Sequence, residues 1–142
     1  MKVKTVMMAA LILGLFLSTL TGSAQEQTNE KIIRAHYAAY EKKDWPAMER
    51  TLAEGFTFSS PFDNHINMEV FKEKCWPNAA KIKRFDLENI MIKGDEAFVI
   101  YNGWTIEGKL FRNTDHFKFR NGRIATYECF FGPGINYPDS KK

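Results

Sequence analysis

Residues 112–132, RNTDHFKFRNGRIATYECFFG, decide the fold. Asn121-Gly122 is the signal of a two-residue type I′ turn, whose central positions both need positive φ, which Asn and Gly tolerate. The flanking residues predict two antiparallel strands, Lys109–Phe119 and Arg123–Phe131. Side chains alternate faces along a strand. Arg112, Thr114, His116, Lys118 and Arg120 form one set, which is polar and predicted to face water. Asn113, Asp115, Phe117 and Phe119 form the other, so Asp115 and Asn113 should face the interior beside two phenylalanines. A carboxylate there must be paired, protonated or in contact with a cavity, because burial removes the hydration of its charge. On the closing strand Tyr127, Cys129 and Phe131 share a face, opposite Thr126 and Glu128, and parity places them inside.

Upstream, the patterns change from period 2 to helical spacing. Ile33, Tyr37 and Tyr40 recur at helical spacing and predict a helix over Thr28–Lys43, with Ile32 and His36 beside the stripe. Asp44 is the expected N-cap of a short second helix with Pro46 in its first turn and Trp45, Met48 and Leu52 on its apolar side. Gly55 is expected to end it. Phe56–Ser60 reads as a first strand stopped by Pro61, and Asn67 caps a third helix through Trp76, ended by Pro77. Arg84–Ile92 and Glu96–Ile106 read as two further strands around a Lys93-Gly94-Asp95 turn. Trp104, Phe98 and Ile100 share one face of the second, but apolar residues on both faces leave its inward side open. Helices first and strands later predict an α+β fold with one curved antiparallel sheet.

The first 24 residues read as an address. Lys2 and Lys4 precede an apolar run from Val6 to Leu20, and Gly22 and Ala24 supply small residues at −3 and −1 of a cleavage site. The run is short of the roughly 20 residues a membrane-spanning helix needs. The expectation is a signal peptide over 1–24, a single domain over 25–132 and a short tail over 133–142, with export to a periplasm or the exterior and no stable membrane span after cleavage. The 20 basic residues slightly outnumber the 17 acidic ones, and the two leading lysines leave with the leader. No basic stripe indicates nucleic acid. The chain has two cysteines, Cys75 and Cys129. Export permits a disulfide between them, and two buried free thiols are the other reading. His36, His65 and His116 lack metal-ligand spacing, so no metal or other cofactor is expected.

Together, the opening AAYEKKDWPAMERTLAEGFTF and the closing FRNTDHFKFRNGRIATYECFFG resemble the SnoaL-like domains of the nuclear-transport-factor-2-like superfamily, over about residues 28–132. The resemblance implies a cone, in which a bent antiparallel sheet wraps around three N-terminal helices and a pocket opens between them. The hairpin is similar to that of ketosteroid isomerase, whose strand resembles DHFKF. By that resemblance Asp115 falls on the acid that donates to a developing oxyanion, and Tyr37 on the second donor. The general base is not matched: Ser60, before Pro61, stands where that enzyme has an aspartate, and a neutral hydroxyl does not abstract a carbon-bound proton unless another group activates it. The resemblance also implies dimerisation through the outer sheet face, where Phe130 would sit.

The candidate catalytic residues are therefore Asp115 and Tyr37. The candidate pocket residues are Asn113, Ser60, Phe117, Tyr127, Cys129, Phe131 and His65, the last from a loop with Asp63 that could swing over the cone's mouth. The expected function is binding of a small, largely apolar molecule in an aromatic-lined pocket by a homodimeric protein. One alternative is a cofactor-independent isomerase, cyclase or lyase with Asp115 as acid or oxyanion donor. Another is a dimeric protein-interaction domain whose cone is filled by its own side chains.

Overall fold

A computed structural model describes the backbone of residues 2–131 and the side chains of residues 22–131. The expected tail, 133–142, lies outside the described residues. Helix α1, Lys2–Lys42, continues unbroken through Ala24 and Gln25 and is followed by α2, Trp45–Thr51. Strands β1, Leu52–Ser60, and β2, Asp63–Asn67, precede helix α3, Met68–Lys74, and a 3-10 turn, Trp76–Lys81. Strands β3, Ile82–Lys93, β4, Glu96–Thr105, β5, Leu110–Arg120, and β6, Arg123–Phe130, complete the chain. The architecture is α+β, with α1 and α2 ahead of a curved, unclosed sheet, α3 inserted between β2 and β3, and the strands in the order β2-β1-β6-β5-β4-β3.

The hairpin forms at the Asn-Gly turn: Asn121 and Gly122 both have positive φ, and Asp115 pairs with Cys129 and Phe117 with Tyr127 across β5 and β6. The remaining pairs are antiparallel except one. β1 runs parallel to β6, so the sheet is mixed. Hairpin turns dictate antiparallel neighbours, but β1 meets β6 only after the chain has passed through every intervening element, and no tight turn sets their relative direction.

Three local expectations change. The second helix ends at Thr51, not Gly55, because the Thr51 hydroxyl bonds the Met48 carbonyl (2.7 Å) and Leu52 is already extended. Gly55 instead sits at φ +68° inside β1, where pairing with β6 slips between Leu52 and Thr57. The loop after Pro61 forms β2, and helix three stops at Lys74 before the 3-10 turn, where Pro77 has no N–H to extend an α-helix. The caps are as read: Asp44 accepts the Ala47 N–H and Asn67 the Val70 N–H, both at 3.0 Å.

Helix α1 lays Asn29, Ile33, His36, Tyr37 and Ala39, all buried, against the concave face of the sheet. Asn29 is tied to the β3–β4 turn by a bond from its amide to the Gly94 carbonyl (3.1 Å). His36, expected beside the stripe, lies within the core among the rings of Tyr37, Tyr40, Phe117 and Tyr127. His116 departs from its water-facing expectation too. It points outward but is only 8% exposed, stacked on Phe98 at 4.4 Å while its Nδ1–H donates to Glu128 (2.7 Å). Cross-strand neighbours cover a ring that parity alone would leave wet.

Candidate functional site

Strand register builds a polar cluster on the concave face. Asp115 on β5 lies between Val99 of β4 and Cys129 of β6, while Tyr101 pairs with Asn113. Tyr37 comes down from α1. Its hydroxyl donates to Asp115 Oδ2 at 2.6 Å, and the Tyr101 hydroxyl donates to Oδ1 at 3.3 Å. The Asn113 amide donates in turn to the Tyr101 oxygen at 3.3 Å. Asp115 is fully buried. Burial pushes its carboxyl up to about 6, against hydrogen bonds that hold it down, that from Tyr37 foremost. Burial also raises Tyr37 and Tyr101 well above the usual phenol range, reinforced by the Asp115 charge. All three groups therefore resist ionisation, as removal from water disfavours charge.

Next to this cluster opens a cavity of about 340 Å³, within the range of small-molecule sites. Tyr37, Tyr101, Tyr127 and Cys129, all buried, form its polar end with the half-buried Asn113, and Phe58, Phe85 and Phe111 line its walls. Ser60, Phe62, Asp63, Lys74, Cys75 and Phe131 also contribute, with Phe62 and Lys74 exposed at the rim.

The sequence-predicted residues divide accordingly. Tyr37, Asn113, Ser60, Tyr127, Cys129 and Phe131 all line the cavity. Asp115 does not: it stands behind Tyr37 and Tyr101, which present its influence to the interior. Phe117 is fully buried, stacked on Tyr127 at 5.0 Å and outside the lining. His65 is exposed, at φ +50°, with Nδ1 against the Asn64 side chain at 2.6 Å, and it does not reach the cavity. The left-handed backbone at His65 breaks the alternation of β2, so Asp63 faces the cavity while His65 turns to solvent. Ser60 donates its proton to Asp63 Oδ2 (2.9 Å) and accepts the Phe62 N–H (3.1 Å), which commits its hydroxyl to the β1–β2 turn.

Tyr101, Phe85, Phe111 and Asp63 enter the cavity without having been assigned to it. For Tyr101 the signal was present but ambiguous, because β4 is apolar on both faces. Its parity with Ala97 and Val99, both buried, is evident once β5 is paired. Cys75 and Cys129 are both free thiols. Burial pushes Cys75 up to about 11, which makes it a poor nucleophile at neutral pH. Among the described residues no cluster of three or more ligating side chains could hold a metal ion, and no helix is long and apolar enough to cross a membrane.

Solved structures with this fold are similar over most of their length. A nuclear-transport-factor-2-like protein of unknown function from Cytophaga hutchinsonii shares 20% identity, with a TM-score of 0.61 over 74% of this chain and 90% of that one. A candidate polyketide cyclase from Sinorhizobium meliloti shares 22%, with a TM-score of 0.60 over 70% and 93%. An epoxide hydrolase from M. tuberculosis, described as LEH-like, shares 12%, with a TM-score of 0.63 over 75% and 84%. At these identities the likeness establishes the fold and nothing finer. No curated protein matches the sequence. The SnoaL-like domain family model matches residues 33–127, from Ile33 of α1 to Tyr127 of β6, and the chain belongs to that family.

Proposed function

We propose that the protein binds a small, largely apolar molecule carrying one hydrogen-bonding oxygen, and that Tyr37 contacts this oxygen with Asp115 behind it. The observation that carries the reading is the 2.6 Å bond joining a cavity-lining phenol to a fully buried carboxyl. With Asp115 ionised, both tyrosines point their protons at it and turn lone pairs toward the ligand. With Asp115 protonated, the carboxyl donates to one tyrosine, whose own proton is freed for a carbonyl or phenolate oxygen. A carboxyl near 6 makes both states accessible near neutral pH. Asp115 is thus a positioning residue, and Tyr37 and Tyr101 are the contact groups. An open cavity supports ligand binding over a domain whose cone is filled by its own side chains.

Calorimetric titration with phenol and 2-naphthol tests this. Tyr37→Phe should weaken 2-naphthol binding about tenfold, the worth of one hydrogen bond in a buried site. Equal affinity for both proteins sinks the role of Tyr37. No heat with either probe sinks the cavity as a site for such molecules.

A second reading, a cofactor-independent isomerase, cyclase or lyase, gains from Asp63. That carboxylate lines the same cavity and supplies the proton acceptor that Ser60 cannot be. The candidate cyclase from Sinorhizobium and the epoxide hydrolase from M. tuberculosis, which share this fold, support the reading at the level of the fold alone. Exchange of α-protons of 2-cyclohexenone in deuterated buffer, followed by NMR, separates catalysis from binding alone.

Export and pairing complete the proposal. The leader-like first 24 residues support release from the cytoplasm, which N-terminal sequencing of protein from the periplasm or medium checks. Exposed Met91, Phe98 and Phe130 on the convex face of the sheet support a homodimer.

A further inference from the structure

We propose that Gly103 sets the width of the cavity by letting the Phe111 ring lie flat on the sheet, so that the site admits a planar two-ring molecule. This rests on the reading of the cavity as a ligand site.

Gly103 is buried near the C-terminal end of β4, directly opposite Phe85 of β3 on one side and Phe111 of β5 on the other. Alternate strands in a sheet are roughly 10 Å apart, twice the inter-strand spacing. Yet the Phe85 and Phe111 rings meet at 6.4 Å, edge to face at 89°. They do so because the position between them has no side chain. An alanine Cβ built at 103 would lie 2.6 Å from Cε1 of Phe111, and closer still to Cζ and Cε2. The ring therefore occupies the volume a side chain would fill. No positive φ requires glycine here; the requirement is the ring above it.

Phe111 and Phe85 both line the cavity. Tyr101, two residues earlier on the same face, closes the group with ring contacts of 5.4 Å to Phe85 and 6.4 Å to Phe111. Beneath Phe111 is the β4 backbone, so the ring has no room to retreat into the sheet. A Cβ at 103 would have to tip it upward, into the space above the concave face. The clash falls on the far end of a side chain rather than on backbone, so it is relieved by rotation about the Phe111 side-chain bonds and not by unfolding. Glycine at 103 is thus a specificity determinant that acts through Phe111 and touches no ligand itself.

The test is a crystal structure of Gly103→Ala beside calorimetric titrations with phenol and 2-naphthol. We expect Phe111 tipped into a smaller cavity, with 2-naphthol affinity down by about tenfold or more and phenol affinity nearly unchanged, the scale on which apolar pockets sort ligands by size. In the double variant Gly103→Ala/Phe111→Leu the 2-naphthol affinity should recover, because the shorter side chain leaves the cavity clear. The proposal is overturned if Phe111 swings toward solvent with the cavity unchanged, if both probes weaken equally, or if the double variant does not recover. If the parent protein binds neither probe, the ligand reading falls, and the position of Phe111 in the crystal still decides the role of Gly103.

Discussion

At the scale of single residues, the core holds two ionisable side chains with opposite effects on stability. Asp115 titrates at about 6 in the folded protein against 3.8 for an ordinary aspartate, because burial disfavours its charge. Its contribution is complete below the unfolded value and is lost as pH rises through 6. His36, also fully buried, is held down to about 3 against 6.5 by burial. The unfolded chain takes up that proton first, so stability is kept above 6.5 and falls as pH drops toward 3. The Thr51 hydroxyl spends its proton on Met48, so His36 Nδ1–H must donate to Thr51 (3.3 Å), and Nε2 is left without a partner. Each group gives a slope of about 1.4 kcal/mol per pH unit, and the two nearly cancel between about pH 4 and 6. Urea denaturation across that window checks this. Relative to the parent, Asp115→Asn should make stability rise more steeply with pH, and His36→Gln should make it fall. Unchanged slopes in both variants would mean that neither charge is excluded as described. Asp115 itself was legible from strand parity, because a carboxylate between phenylalanines has few explanations. Its place behind the tyrosines was not, because it depends on where α1 crosses the sheet.

At the scale of elements, local chemistry predicts where helices begin better than where they end. Asp44 and Asn67 were both readable as caps, since a short side-chain oxygen satisfies an N–H that has no partner within the helix. Asp44→Ala should lower stability by about 1 kcal/mol, measured by chemical denaturation, because α2 has only seven residues over which to spread the loss. An unchanged midpoint would show that packing of Met48 alone holds the helix. The end of α2 was misplaced because glycine commonly stops helices, whereas here Gly55 lies within β1, at a positive φ where the pairing with β6 slips. The hairpin of β5 and β6 was legible because its turn, its alternation and its pairing are contiguous in the chain. β2 escaped notice because it is short, and its alternation is interrupted by the left-handed backbone at His65.

At the scale of the whole molecule, curvature separates two faces of one sheet. The concave face meets α1 and encloses the cavity. The convex face carries Met91 and Phe98 as direct partners on β3 and β4, with Phe130 nearby on β6, each between 42% and 56% exposed. His116 fills the ground between them, clasped by Glu128 and stacked on Phe98. If this face joins two copies, Phe98→Ser/Phe130→Ser should convert a dimer to a monomer in light scattering, with an unchanged fold by circular dichroism. A parent protein that is monomeric at high micromolar concentration would remove the homodimer from the proposal.

Sequence by itself determined what depends on contiguous residues: the hairpin, the helix caps, the order of helices before strands, and an interior carboxylate at Asp115. These follow from turn geometry and from the two-residue and 3.6-residue periods, which act over short stretches of chain. Tertiary structure alone decided the parallel meeting of β1 and β6, the burial of His36, and the placing of Tyr37 and Tyr101 between Asp115 and the cavity. It also decided that Asp63, and not His65, faces the interior, and that Phe111 rests on Gly103. Each of these joins residues far apart in sequence, or depends on a local backbone departure that no period encodes, and so exists only once the sheet has bent around the helix.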